Sequence, residues 1–403
     1  MQNSKRWGIA AAGFILQTAL GAVYAWSVFR IPLSKEFGWS VTQVTVTFTI
    51  SVAVDSVACF IGGLWLNRKG PRIVALTGGL LYGLGVFLAS FSRLGLGWLY
   101  LTYGLMGGAG VGLAIIVPIA VLVKWFPDRR GLIMGIAVAG FGAGALVTAP
   151  VATALIDRVG VLDTFAYLGI AYLVVAMSAG FFMQNPPEGW HPEGWTPSPT
   201  QARQRAVTDF TFGEALASWQ WWALWILLFL NSSAGIALIS QEAPMFETLG
   251  LVGAGVAAGM VGVTSIGNSV GRIFWAWISD SVTRRWTLAA MFILQCALFW
   301  ILPSLATVTV ITAVSFAILS CYGGGYGVMP AFAADYFGCR NIGPIYGLMA
   351  TAWGAASAFG PLLLAYTLRS SGGYGRGLHI IAGIMAASTV LPILMRPPRH
   401  KSV

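Results

Sequence analysis

Two ionisable side chains, Asp55 and Arg272, interrupt apolar runs of this sequence far from any polar boundary. A charge at the centre of a bilayer costs at least ~2.5–3.5 kcal/mol on insertion scales, so each needs a reason to be there. A guanidinium grips a carboxylate through two parallel hydrogen bonds and stays charged at any pH. Arg272 is therefore a candidate receptor for an organic-acid anion. The competing reading is a structural arginine, paired permanently with Asp55 or with helix carbonyls. Asp55 is a candidate proton carrier; burial and a neighbouring cation would act on its proton with opposite signs, so spacing alone leaves its behaviour open. No nucleophile–base pair accompanies these two. His191, His379 and His400 are scattered, and Cys59, Cys296, Cys321 and Cys339 have neither disulfide-framework nor zinc spacing. Neither a metal nor a cofactor is expected, and the chain does not read as an enzyme.

The elements that hold these residues follow from composition. Of 403 residues, 57% are hydrophobic and 9% charged, against about 25% charged in a soluble domain; mean hydropathy is +0.78. Apolar runs of about twenty residues match a ~30 Å hydrocarbon core at 1.5 Å per helical residue. Soluble enzymes, nucleic-acid binders and disordered chains are excluded, and the net charge of +10 has its source in cationic loops. Twelve spans are expected, at 7–29, 41–66, 73–92, 98–123, 131–156, 164–183, 220–241, 251–278, 287–304, 308–334, 344–367 and 377–395. The first is too long for a signal-peptide core and is read as retained.

Basic residues orient the spans. On the side of the termini stand Lys5, Arg6, Arg68, Lys69, Arg72, Lys124, Arg129, Arg130, Arg203, Arg205, Arg284, Arg285, Arg340, Arg396, Arg399 and Lys401. Opposite them are only Arg30, Lys35, Arg93, Arg158, Arg369 and Arg376. Both termini are therefore expected in the cytoplasm of a cell whose inner membrane the chain crosses many times. Only about eight residues follow the last span, so a transporter-like carboxylate receptor would lack a signalling tail. Residues 184–219, rich in Pro, Gly and Trp, separate a six-span bundle (1–183) from a second (220–403).

The two halves echo each other. Gly63-Leu64-Trp65-Leu66-Asn67-Arg68-Lys69-Gly70-Pro71-Arg72 after span 2 parallels Ala276-Trp277-Ile278-Ser279-Asp280-Ser281-Val282-Thr283-Arg284-Arg285 after span 8. Trp125-Phe126-Pro127-Asp128-Arg129 likewise parallels Tyr336-Phe337-Gly338-Cys339-Arg340. Two echoes at equivalent places indicate a duplicated bundle. Gly104, Gly108 and Gly112, and Gly140 with Gly144, recur every fourth residue, a spacing that lets membrane helices approach closely.

The stretch Gly63–Arg72 resembles the signature loop of the major facilitator superfamily, with Asn67 where Asp is usual. Gly21-Ala22-Val23-Tyr24-Ala25-Trp26-Ser27, Lys124-Trp125-Phe126-Pro127-Asp128-Arg129-Arg130-Gly131, Asn268-Ser269-Val270-Gly271-Arg272 and the Asn-Pro-Pro-Glu-Gly-Trp run resemble the oxalate/formate antiporter family, neighbour of the monocarboxylate transporters. The resemblance implies an all-α membrane protein of the major facilitator fold, twelve transmembrane helices in two pseudo-symmetric bundles working by alternating access. It also implies Arg272 as the substrate-binding arginine, lined by Tyr24, Tyr322, Tyr326, Asn268 and Trp353. Gly63, Asn67, Arg68, Gly70, Arg72, Asp280, Arg284 and Arg285 would form the gating loops. In proton-coupled relatives an Asp lies one turn before this arginine; here that place is Asn268, and the repeat pairs Asn268 with Asp55. A second cation of oxalate-transporting relatives falls on Trp353, so one fixed charge remains for one carboxylate. The expected function is transport of a small monocarboxylate (lactate, pyruvate, glycolate or formate) by a monomeric carrier with Asp55 as proton-coupling residue. The alternative is carboxylate exchange of the oxalate/formate type. The expected partners are the anion, a proton and the lipid bilayer, without nucleic acid.

Overall fold

The computed structural model describes residues 2–197, 209–249 and 252–398; Arg203, Arg205, Arg399, His400 and Lys401 lie outside the described residues. Twelve long helices follow one another: α1 Lys5–Phe37, α2 Val41–Lys69, α3 Pro71–Leu94, α4 Leu96–Trp125, α5 Arg130–Val159, α6 Val161–Phe181, α7 Trp219–Leu249, α8 Ala254–Ser281, α9 Arg284–Ser304, α10 Val308–Phe337, α11 Ile342–Ser371 and α12 Gly375–Leu394. No strand occurs among the described residues. Eleven of the helices are long and apolar enough to cross a bilayer. The twelfth, α8, has 28 residues, about 42 Å at the helical rise, but Asn268 and Arg272 interrupt its apolar surface.

Local chemistry sets the breaks. Ser40 and Gln43 form a reciprocal capping box at the start of α2, satisfying two backbone donors that the helix leaves open. Gly70 takes a φ of +84° between α2 and α3, a conformation glycine adopts without a Cβ penalty, and Pro71 then opens α3 at a position needing no amide hydrogen. The stretch between α6 and α7 makes two successive turns, Trp190 N–H donating to the Pro187 carbonyl and Trp195 N–H to that of Pro192. A short helix, Phe212–Ala217, follows.

The chain folds as two compact units. The first comprises Met1–Asp128, Ala137–Thr196 and Cys339–Thr351; the second comprises Arg129–Ile136, Pro197–Gly338 and Ala352–Val403. Each is mainly one half of the chain, but each also takes a short piece of the other half: the first turns of α11 belong to the first unit and those of α5 to the second. In the first unit the glycines of α4 seat it on α2, Gly108 against the backbone of Ser51 and Gly112 against that of Asp55. Gly140 and Gly144 of α5 meet the backbone of α1 at Phe14 and Gly21. An aromatic cluster of Trp26, Phe29, Tyr103 and Phe165 fills the space between α1, α4 and α6, with rings 4.4–4.6 Å apart at the Trp26–Tyr103 and Phe29–Phe165 contacts.

Candidate substrate-binding site

In the second unit, α8 and α10 pack through glycines on both helices. Gly267 and Gly271 of α8 lie against the carbonyls of Phe316 and Ser320, while Gly323 and Gly327 of α10 lie against those of Asn268 and Arg272. A Cβ at any of the four would collide with backbone, so this sequence brings the two helix backbones into direct contact. That approach places side chains from α10 around the arginine.

Arg272 is 2% exposed. Its Nε–H points to the Asn268 amide oxygen one turn earlier on α8, a long contact of 3.5 Å, and its guanidinium lies over the Tyr326 ring, 5.3 Å from the centroid. The Tyr326 hydroxyl is 2.7 Å from Ser232 Oγ on α7. The Tyr322 hydroxyl bonds to Tyr326 and to Trp353 on α11, and Arg272 acts on it electrostatically. Behind this layer, Asn231 donates to the Tyr322 carbonyl at 3.0 Å, and Gln295 of α9 donates to Asn231 at 3.0 Å. Gly235 leaves room for the Tyr322 ring, which a Cβ would strike. A cation, two phenols, an indole and an amide thus converge from three helices, and a fourth, α7, adds the Ser232 hydroxyl. Such a set can hold a carboxylate: the guanidinium supplies charge and directed donors, while hydroxyls and the indole N–H supply further hydrogen bonds in a water-poor setting.

The structure brings five of the six expected binding residues together: Arg272, Asn268, Tyr322, Tyr326 and Trp353. Tyr24 belongs to the first unit, half-buried and edge-on to Phe141 at 5.2 Å. Asp55, also in the first unit, is 6% exposed, one turn before Cys59 on α2. Among the described residues its carboxylate makes no hydrogen bond or ion pair.

The signature segments occupy helix ends within each unit. In the second, the Asp280 carboxylate accepts from the backbone N–H of Gly131 (2.8 Å) and Leu132 (2.9 Å) at the start of α5, a helix N-terminus holding an anion. Arg284 bonds Asp280 at 2.7 Å and Asp335 at 2.9 Å, and Arg130 also bonds Asp335, at 2.8 Å. In the first unit, Gly63 lies against the backbone of Gly343 at the start of α11. Asn67 donates to the Asn341 side chain at 3.0 Å. Arg68 is exposed, Arg72 covers the Phe181 ring at 4.6 Å and Arg285 that of Trp286 at 5.3 Å. An amide in place of the carboxylate gives the first unit a neutral version of the same junction.

Other ionisable residues are buried in the protein besides the two expected deep in the spans. α7 runs on to Leu249, past the expected end at 241, with Pro244 inside it, and carries Glu242 at 1% exposure. Arg30, expected in a loop, lies inside α1 with a buried Nε that has no hydrogen-bond partner. Asp335 lies within α10 at 4% exposure. Ser232, Asn231 and Gln295 were also missed. The polar run Asn231-Ser232-Ser233 in the middle of an apolar span was the available signal; Gln295 stands alone and gave none.

A many-helix membrane protein with a buried, hydrogen-bonded cation in one compact unit belongs to the class of transporters rather than enzymes. The sequence profile described as Major Facilitator Superfamily matches residues 9–361 and 253–403. The chain belongs to the Major Facilitator Superfamily. It is 28% identical over 406 residues to the oxalate:formate antiporter of Oxalobacter formigenes, covering 97% of this chain and 93% of that protein. Monocarboxylate transporter 13 of Rattus norvegicus is 34% identical over 174 residues, 43% of this chain and 39% of that one. The fold matches the crystal structure of the human organic anion transporter MFSD10 with a TM-score of 0.74 at 13% identity, covering 96% of this chain and 99% of that one.

Proposed function

We propose that this transporter carries a small monocarboxylate, of the lactate, pyruvate, glycolate or formate type, by alternating access across a cell membrane with both termini cytoplasmic. The substrate carboxylate binds Arg272, with Asn268, Tyr322, Tyr326 and Trp353 completing its hydrogen bonds and Tyr24 as a further lining group. Asp55 carries the coupled proton. The observation that supports this reading is the burial of Arg272 among hydroxyl, amide and indole groups contributed by α7, α8, α10 and α11. A mid-span guanidinium so surrounded is costly unless its charge is used. The likeness to a protein named oxalate:formate antiporter over 97% of the chain favours a second reading, exchange of one carboxylate for another.

Purified protein in proteoliposomes separates the two. With labelled lactate, formate and oxalate outside, a pH gradient that drives accumulation in empty vesicles supports proton symport. Uptake that needs an internal carboxylate supports exchange. Arg272→Lys keeps the charge but loses the two-pronged geometry; it should reduce uptake by about 100-fold, consistent with about 2.7 kcal/mol of lost charge-assisted bonding. Unchanged uptake in that variant overturns the binding site.

A further inference from the structure

Glu242 of α7 is the buried carboxyl that the site described above leaves unused. One of its oxygens, Oε1, has no hydrogen-bond partner, and its side chain bonds to the hydroxyl of Thr264 on α8. Thr264 is itself fully buried, and its hydroxyl lies 2.9 Å from the Val261 carbonyl, to which it donates. A threonine hydroxyl has a single hydrogen. While that hydrogen is on Val261, the hydroxyl oxygen can still accept a hydrogen bond from a protonated Glu242 carboxyl. When the acid ionises, the hydroxyl hydrogen turns from the Val261 carbonyl to the carboxylate. The pair therefore accommodates both states of the proton with one bond rotation, which a carboxyl among apolar groups alone would not do.

Thr264, Asn268 and Arg272 stand at intervals of four on α8, hence on one face of that helix within about 12 Å. Asn268 stands between the other two, one turn from each in sequence, and its amide oxygen faces the Arg272 Nε–H at 3.5 Å. In the second unit, the charged and titratable groups on elements packed against α7 are Glu214 on the short helix Phe212–Ala217, Arg272 and Asp280 on α8, Cys321, Tyr322, Tyr326, Asp335 and Tyr336 on α10, Tyr366 and Arg369 on α11, and Arg376 and His379 on α12. Among the described residues none makes an ion pair with Glu242. On α7 itself, exposed Glu247 acts electrostatically on Tyr374.

We propose that Glu242 is a second proton-binding site, whose protonation tightens anion binding at Arg272. Ionised, it places a negative charge in the same unit as the bound anion; protonated, it removes that charge and leaves Arg272 to the substrate. The proton comes from solvent and returns to it, and no other bond changes. The proposal rests on Arg272 as the anion site, and its two parts are tested separately.

The full-length protein, without ligand, is titrated by infrared difference spectroscopy in the carboxylic-acid carbonyl region. A buried-acid band is expected that disappears in Glu242→Gln and persists in Asp55→Asn. In Thr264→Val the band should remain but titrate at higher pH, since the ionised form has lost its donor; a merely structural Glu242 would show no such shift. Equilibrium binding of lactate and formate is then measured across pH. In an Asp55→Asn background the protein should bind about fivefold more tightly at low pH than at high pH, about the size of one screened charge removed, and adding Glu242→Gln should give the tight level throughout. A band unchanged by Glu242→Gln, or a pH dependence of binding unchanged by it, overturns the proposal. Absence of anion binding in wild type overturns the Arg272 reading instead, and the spectra still decide whether Glu242 holds the proton.

Discussion

Single residues set what the site can hold. Arg272 was legible in the sequence because a charge in an apolar run is costly wherever the helix points, and Asn268 followed from its place one turn away. The hydroxyl partners were not legible in the same way: Ser232 meets Tyr326 at 2.7 Å from a helix 94 residues earlier in the chain, and no periodicity relates the two. Trp353 offers the sharpest test at this scale. Its indole reaches Tyr322, and it occupies the place where oxalate-transporting relatives are expected to carry a lysine. Trp353→Lys should add a second cation near Arg272 and let oxalate compete with labelled lactate at least tenfold better than in wild type. A competition curve that does not move would show that charge count at this position does not select the anion.

Elements place those residues, and here glycine is decisive. Gly327 lies against the Arg272 carbonyl and Gly323 against that of Asn268, so α10 cannot tolerate side chains on that face without leaving α8. Gly327→Val is expected to force α10 outward, lower the melting temperature of the detergent-solubilised protein by several degrees and cut lactate uptake at least tenfold. A variant stable and active as wild type would mean the contact is dispensable. The repeated glycines of α4 and α5 announced close helix contacts from spacing alone, but not which helices they would meet. The helix-end cluster argues similarly. Asp335 is 4% exposed and bonds both Arg284 and Arg130, so Asp335→Asn removes one charged partner from each of two guanidinium groups. Loss of one partner in such a buried pair costs about 3–5 kcal/mol, and a clear drop in thermal stability should be read in the purified variant. Asp280, held by two backbone amides as well as Arg284, would still tie the start of α5 to the second unit.

At the scale of the whole molecule, coupling requires a proton site whose loss separates accumulation from movement. The proposed coupling assigns that role to Asp55, buried in the first unit with no hydrogen bond or ion pair among the described residues. Asp55→Asn should abolish accumulation driven by an inward proton gradient, because no group there can gain or lose the proton. Exchange of internal for external lactate should stay within about twofold of wild type, since the asparagine keeps the shape and neutral state of the protonated acid. Equal gradient-driven accumulation in variant and wild type would remove Asp55 from the mechanism.

Sequence by itself determined the membrane class, the helical spans and the duplicated signature segments, since a bilayer admits little besides apolar helices and punishes each buried charge. It also singled out Arg272 and Asp55 on that ground. The tertiary structure alone decided that α7 runs on through Pro244 to bury Glu242, and that the first turns of α5 and α11 join the unit built from the opposite half. It alone decided that Asn231, Ser232 and Gln295 stand behind the tyrosines. Those outcomes depend on which helices meet, and hydrogen bonds between residues distant in sequence follow from packing rather than from local pattern.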